Sequence, residues 1–185
     1  MDITGGGMIK NSVTVYAEKR KRALDVFVLF VLTFALAVSV LTALNKTVAF
    51  TVRVEGSSMN PLLKNGDVVV VSRTAEVKRG SVVVADVEEG GPLIKRVIAL
   101  GGETVWSVRG VVFIQTDTGV ITLNEGYVLP ENAGGADVPR TTLPQGYVFL
   151  MGDNRAVSLD SRVLGPVESD RILGVVTSFW LKHKF

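Results

Sequence analysis

A chain of 185 residues with 20 basic, 18 acidic and 47% hydrophobic residues has length for one soluble domain and a membrane segment, and little more. It contains no cysteine, which excludes a thiol nucleophile, a disulfide framework and thiolate metal sites. Five of the basic and three of the acidic residues fall within residues 1–45, leaving fifteen of each in residues 46–185; the basic excess is local, and no nucleic-acid-binding face is expected.

Residues 1–18 are polar and carry Gly5-Gly6-Gly7, which predicts a flexible start to a tail over residues 1–23. Residues 26–44, VFVLFVLTFALAVSVLTAL, hold no charge, proline or glycine. At about 1.5 Å per residue that run spans roughly 28 Å, close to the hydrocarbon thickness of a bilayer. A buried core helix would show a polar stripe. A cleaved signal peptide would have a shorter apolar region and a small-residue site after it, and Asn45-Lys46-Thr47 is not such a site. Residues 24–45 are therefore expected to form a retained, single-pass transmembrane anchor. Lys19, Arg20, Lys21 and Arg22 precede the run and Lys46 alone follows it closely. That bias predicts a cytoplasmic N-terminus and residues 46–185 outside the cell membrane.

Beyond residue 45 the patterning is that of strands. Thr51 to Glu55 alternates apolar with polar; Val68 to Val71 and Val82 to Val84 are valine runs bounded by turn residues; Leu93 to Leu100 ends at Gly101-Gly102. Val111 to Gln115 and Val120 to Leu123 flank Asp117-Thr118-Gly119 as a hairpin, and Tyr147 to Met151 and Ile172 to Phe179 complete the set. No helical period stands out. The expected fold is mainly β, an antiparallel β-sheet domain behind one N-terminal helix. Residues 124–146, rich in Pro, Gly and Asn, read as a long surface loop or a small excursion from the β core.

Few catalytic devices fit this inventory. The single histidine, His183, sits near the chain end, a poor place for the rigidly oriented base of a Ser-His-Asp triad. Zinc chemistry usually takes several His or Cys ligands. Asp153 and Asp160 could be written as an aspartic dyad, but they lie among Arg155 and Arg162, where ion pairing is the ordinary role. A hydroxyl nucleophile with a lysine base remains. The lysine must be neutral to accept a proton, and burial among apolar groups favours that form. Lys95 lies in Pro92-Leu93-Ile94-Lys95-Arg96-Val97-Ile98-Ala99-Leu100. Taken locally, an exposed lysine on a sheet edge is the favoured reading. Gly56-Ser57-Ser58-Met59-Asn60-Pro61-Leu62-Leu63 follows the first strand, and such a Gly-Ser-Ser stretch is more often an ordinary turn.

Together these segments resemble bacterial type I signal peptidase. Gly56 to Leu63 resembles that family's serine box. Lys95-Arg96-Val97-Ile98-Ala99-Leu100-Gly101-Gly102-Glu103 resembles its lysine box. Gly152-Asp153-Asn154-Arg155 with Ser158, Asp160-Ser161-Arg162 and Gly165 resembles its last signature. The resemblance implies a membrane-bound serine endopeptidase that cuts signal peptides from exported pre-proteins without a metal or other cofactor. Ser58 would be the nucleophile and Lys95 the general base. Ser158 would orient the lysine by its hydroxyl, and Asp160, Arg162 and Asp153 would brace the site. By position, Val52, Val54, Leu63 and Ile94 match residues of the substrate pocket. Alternation along the strand puts Val52 and Val54 on one face, which would serve a pocket wall or the core alike.

The chain departs from the resemblance at Gly56, where some members carry a serine that helps bind the oxyanion, and at Ala156-Val157, where a more polar pair is frequent. One span is found where some members have two. Rival readings are another Ser/Lys processing protease of the self-cleaving repressor type, and a catalytically inactive anchored binding domain. Phe179, Trp180 and Phe185 with Lys182 and Lys184 suggest a membrane-facing surface.

Overall fold

Nineteen successive side chains without charge or helix breaker favour a backbone that satisfies its own hydrogen bonds, and in lipid only a helix does so within one segment. The computed structural model, which describes residues 5–87 and 91–180, shows helix α1 over Gly5–Val48. Within it Glu18–Ala43 contains an 18-residue stretch with a mean hydropathy of 2.7, and among the described residues this is the one helix long and apolar enough to cross a membrane. The helix begins earlier than the sequence reading of a flexible tail: from Gly5 onward the chain is already helical. Residues 8–23 contain no proline or glycine and several strong helix formers. An established span therefore propagates through them without a new nucleus.

The chain divides into two units, Met1–Lys46 and Thr47–Phe185. In the second unit the strands are β1 (Ala49–Arg53), β2 (Val68–Ser72), β3 (Val82–Val87), β4 (Gly91–Leu100), β5 (Thr104–Val108), β6 (Val111–Thr116), β7 (Gly119–Thr122), β8 (Thr141–Thr142), β9 (Tyr147–Met151), β10 (Val167–Glu168) and β11 (Ile172–Trp180). They form a seven-stranded sheet in the order β1-β2-β11-β3-β4-β9-β10 and a four-stranded sheet in the order β7-β6-β5-β8. All pairings among the described strands are antiparallel, from Ala49 opposite Ser72 to Phe113 opposite Thr122. A single helical turn, α2 (Ser161–Leu164), is capped by the Asp160 side chain, which accepts from the Arg162 N–H.

Valine-rich β3 lies between β11 and β4, and Val82 to Ala85 are buried on both faces. This is why the run from Val82 to Val84 shows no alternation. Alternation is kept at the edge: along β1, Thr51 and Arg53 are exposed while Phe50 and Val52 turn inward. The two sheets share a core in which Ile98, Ala99, Phe149 and Met151 of the large sheet meet Val105, Val112 and Ile114 of the small one.

Strand β5 was not foreseen. It follows Gly101-Gly102 directly and alternates only over Thr104 to Val108, too short a run to separate from the turn. Residues 124–146 also differ from a surface loop. Val138 and Leu143 are buried in the shared core, and Leu143 exchanges backbone hydrogen bonds with Glu103 and Gly102. His183, Lys182, Lys184 and Phe185, and the side chains of Phe179 and Trp180, lie outside the described residues, so the membrane-facing surface expected there is not addressed.

Phe149 is among the largest fully enclosed side chains and joins both sheets. Phe149→Ala is expected to cost about 3–5 kcal/mol of unfolding free energy, measured by denaturant titration. A loss near zero would mean that the two sheets do not share one core.

Candidate active site

Three chain segments converge on Ser58. The first is the loop that leaves β1. The Val54 N–H donates to the Asp67 carbonyl and the Gly66 N–H returns to the Val54 carbonyl, each at 2.8 Å, closing the loop at its base. Met59 and Leu63 of this loop are buried. Ser58 is thus held half-buried between a turn and the core. Gly56 has φ +79° and its N–H donates to Asn65 Oδ1 at 3.0 Å. This left-handed turn accounts for glycine at a position where a hydroxyl was considered. A side chain there would have room but a strained backbone.

The second segment is β4. Lys95 pairs with Val83 in the sheet and is only 3% exposed. Its Nζ donates to Ser58 Oγ at 2.8 Å and to the Ile94 carbonyl at 3.0 Å. Burial disfavours the ammonium and lowers its pKa below the ordinary 10.5, while the negative Asp160 opposes that shift. In its neutral form the same amine can accept a hydrogen bond from the Ser58 hydroxyl along this contact.

The third segment is the turn after β9. The Asn154 N–H donates to the Ser58 carbonyl at 2.9 Å. A Cβ on Gly152 would lie 2.5 Å from that carbonyl and 2.3 Å from Ser158 Oγ, so the approach requires glycine. Asp160 is almost fully buried and accepts from Gly152 N–H at 2.9 Å and from Arg162 Nε and Nη2 at 2.9 and 3.0 Å. Burial pushes the Asp160 carboxyl up. Hydrogen bonds from Arg162, Gly152 and Ser158, with the Arg162 charge, more than offset that and hold it below the usual carboxylate range. The Ser158 hydroxyl is buried, within reach of that carboxylate but without a well-formed hydrogen bond. It makes no contact with Lys95 of the kind the sequence suggested.

Asp153 does not pair with Arg155. It is fully buried and takes a two-pronged contact from Arg96, Nε to Oδ1 at 2.8 Å and Nη2 to Oδ2 at 2.6 Å. Arg96 follows Lys95 on the strand, so alternation directs the two cations apart. Arg155 pairs with Glu125. Arg96, Glu125 and Tyr127 were not singled out from sequence. The Arg96–Asp153 and Glu125–Arg155 pairings span 57 and 30 positions of the chain, beyond the reach of local patterning.

Beside Ser58 and Lys95 runs a cleft of about 280 Å³ with walls of Val52, Val54, Met59 and Ile94. Leu63 is not on it. It is 0% exposed and packs with Val54 and Met59 in the core, because it closes the turn that carries Ser58.

The family model described as Signal peptidase, peptidase S26 matches residues 25–181. Signal peptidase IB of Staphylococcus aureus is 28% identical over 177 residues, covering 84% of this chain and 93% of that protein. Signal peptidase I of Bacillus licheniformis is 35% identical over 136 residues, covering 65% of this chain and 70% of that protein. A crystal structure of a signal peptidase I from Enterococcus faecalis V583 aligns with a TM-score of 0.47 at 28% identity, over 56% of this chain and 98% of that one.

The lowered pKa of Lys95 has a consequence for stability. Between its folded value and 10.5 the unfolded chain binds the proton and the folded chain does not, so stability rises with pH across that window. Below the folded value the whole penalty is present. Lys95→Met is therefore expected to unfold at higher denaturant than the parent at pH 7, with the gap narrowing as the pH approaches 10.5. A Lys95→Met protein less stable than the parent at pH 7 would contradict this account of the site.

Proposed function

The chain belongs to the peptidase S26 family of signal peptidases, and on that premise we propose that it removes N-terminal signal peptides from exported pre-proteins with Ser58 as nucleophile and Lys95 as general base. The observation that carries the assignment is the 2.8 Å contact between Lys95 Nζ and Ser58 Oγ at the wall of an apolar cleft. Neutral Lys95 takes the Ser58 hydroxyl proton as Oγ attacks the scissile carbonyl carbon. The resulting ammonium then protonates the departing amine, leaving the new N-terminus free and an ester on Ser58. Lys95, neutral again, takes a proton from water as that water attacks the ester. The proton returns to Oγ when the signal peptide's carboxylate leaves.

The Ser58 N–H has no hydrogen-bond partner among the described residues and is a donor for the oxyanion. Val52, Val54 and Ile94 confine the cleft and favour small substrate side chains by exclusion. Asp153, Asp160 and Arg162 hold the surrounding turn, and the Ser158 hydroxyl lies within reach of the Asp160 carboxylate. Residues 24–45 anchor the chain in the bilayer, with residues 1–23 inside and the catalytic domain, from residue 46 onward, outside. No organic cofactor or metal enters these steps, and the partners are pre-proteins and lipid rather than nucleic acid.

Cleavage of a signal-peptide-bearing pre-protein by the full chain in detergent tests the assignment. Ser58→Ala and Lys95→Arg are each expected to lose roughly 10³-fold or more in rate, the latter because a guanidinium stays protonated. Substantial cleavage by either folded variant would overturn it.

A further inference from the structure

Residues 124–146 read from sequence as a detour, yet two of their side chains reach the parts of the fold that hold Ser58. Glu125 Oε1 accepts from the Tyr127 hydroxyl at 3.0 Å and from Arg155 Nη2, and its Oε2 accepts from Arg155 Nη1 at 3.1 Å. Arg155 Nε donates in turn to the Gly152 carbonyl at 2.9 Å. The Tyr127 ring lies 4.0 Å from the Arg96 guanidinium, which also donates to Asp153 and to the Gly80 carbonyl. Gly152 and Asp153 are therefore each held by an arginine, and each arginine is steered by the Glu125–Tyr127 hook. The next residue, Asn154, makes the hydrogen bond to the Ser58 carbonyl.

We propose that Glu125, with Tyr127, is a positioning residue for the reaction: by fixing Arg155 and Arg96 it sets the turn 152–154 against Ser58 and so sets the distance from Ser58 to Lys95. The inference rests on the assignment of those two residues as the catalytic pair. Stability is a poor explanation for the hook. The Arg155 and Glu125 side chains are 5% and 12% exposed, and the cost of desolvating such a pair offsets much of its attraction. What a two-pronged arginine contact supplies in that setting is orientation. Burial, with the Glu125 charge and hydrogen bond, pushes the Tyr127 phenol well above its ordinary value of 10, so it stays a donor throughout the working range.

The consequence for chemistry is specific. If the turn shifts, the Ser58 carbonyl loses its seat and water reaches Lys95. Less desolvation raises the pKa of the amine toward its ordinary value. Glu125→Gln in the full chain is expected to lower kcat on a signal-peptide-bearing pre-protein by on the order of 10- to 100-fold, with little change in KM. The acid limb of its pH–rate profile is expected to move to higher pH. Glu103→Gln is the control, because it breaks another part-buried pair, Arg79 with Glu103, that includes none of Glu125, Tyr127 and Arg155. It is expected to leave the acid limb in place. Tyr127→Phe, which removes only the hydroxyl contact, is expected to shift the limb in the same direction by less. It decides the matter should Glu125→Gln fail to fold. An unmoved acid limb in the folded Glu125→Gln protein, or in Tyr127→Phe when that is the arbiter, overturns the inference. So does an equal shift in Glu103→Gln. Failure of the underlying assignment is distinguishable, because Ser58→Ala would then still cleave.

Discussion

The site depends on one costly placement: an amine enclosed so that its charged form is disfavoured. A lysine in water is protonated at neutral pH and cannot act as a base. Here β4 carries Lys95 into the sheet interior, where desolvation works against the ammonium. The surrounding charges are arranged to leave that effect in place. Arg96 is turned away and neutralised by Asp153, and Asp160 is occupied by Arg162. Asp160 still favours the ammonium through space, so the amine is poised rather than forced to be neutral. Ser58 is the one side-chain hydroxyl to which Lys95 donates among the described residues.

Much of this was legible in the sequence because it is local. The uncharged run of residues 26–44 implied the helix, and the valine runs and the turn at Asp117-Thr118-Gly119 marked strands that the structure contains. Ser58 and Lys95 were recognisable through the order of three short segments. Neither could be told from an ordinary turn or an edge lysine by its own neighbours. Burial of Lys95 is a property of β3 and β9 on either side of β4, and no window around Lys95 contains them.

What escaped was pairing at a distance. Asp153 stood near Arg155 in sequence but pairs with Arg96, because β4 and β9 are adjacent and bring Arg96 opposite Met151. Leu63 matched a pocket position, yet its side chain is enclosed in the core that supports the Ser58 turn. The Ser158 hydroxyl lies within reach of Asp160 and makes no hydrogen bond to Lys95. Residues 124–146 had the composition of a loop, and composition says nothing about Glu125 and Tyr127 reaching two arginines. In each case the sheet order decides the partner.

The most direct test is to titrate Lys95 itself by NMR of carbon-13-labelled lysine in the full chain, assigned by comparison with Lys95→Met. The account predicts one lysine whose titration midpoint lies clearly below the ordinary 10.5, and which vanishes in the variant. A Lys95 signal that titrates at or above that value in the folded protein would contradict it, since the amine would then be no base at working pH.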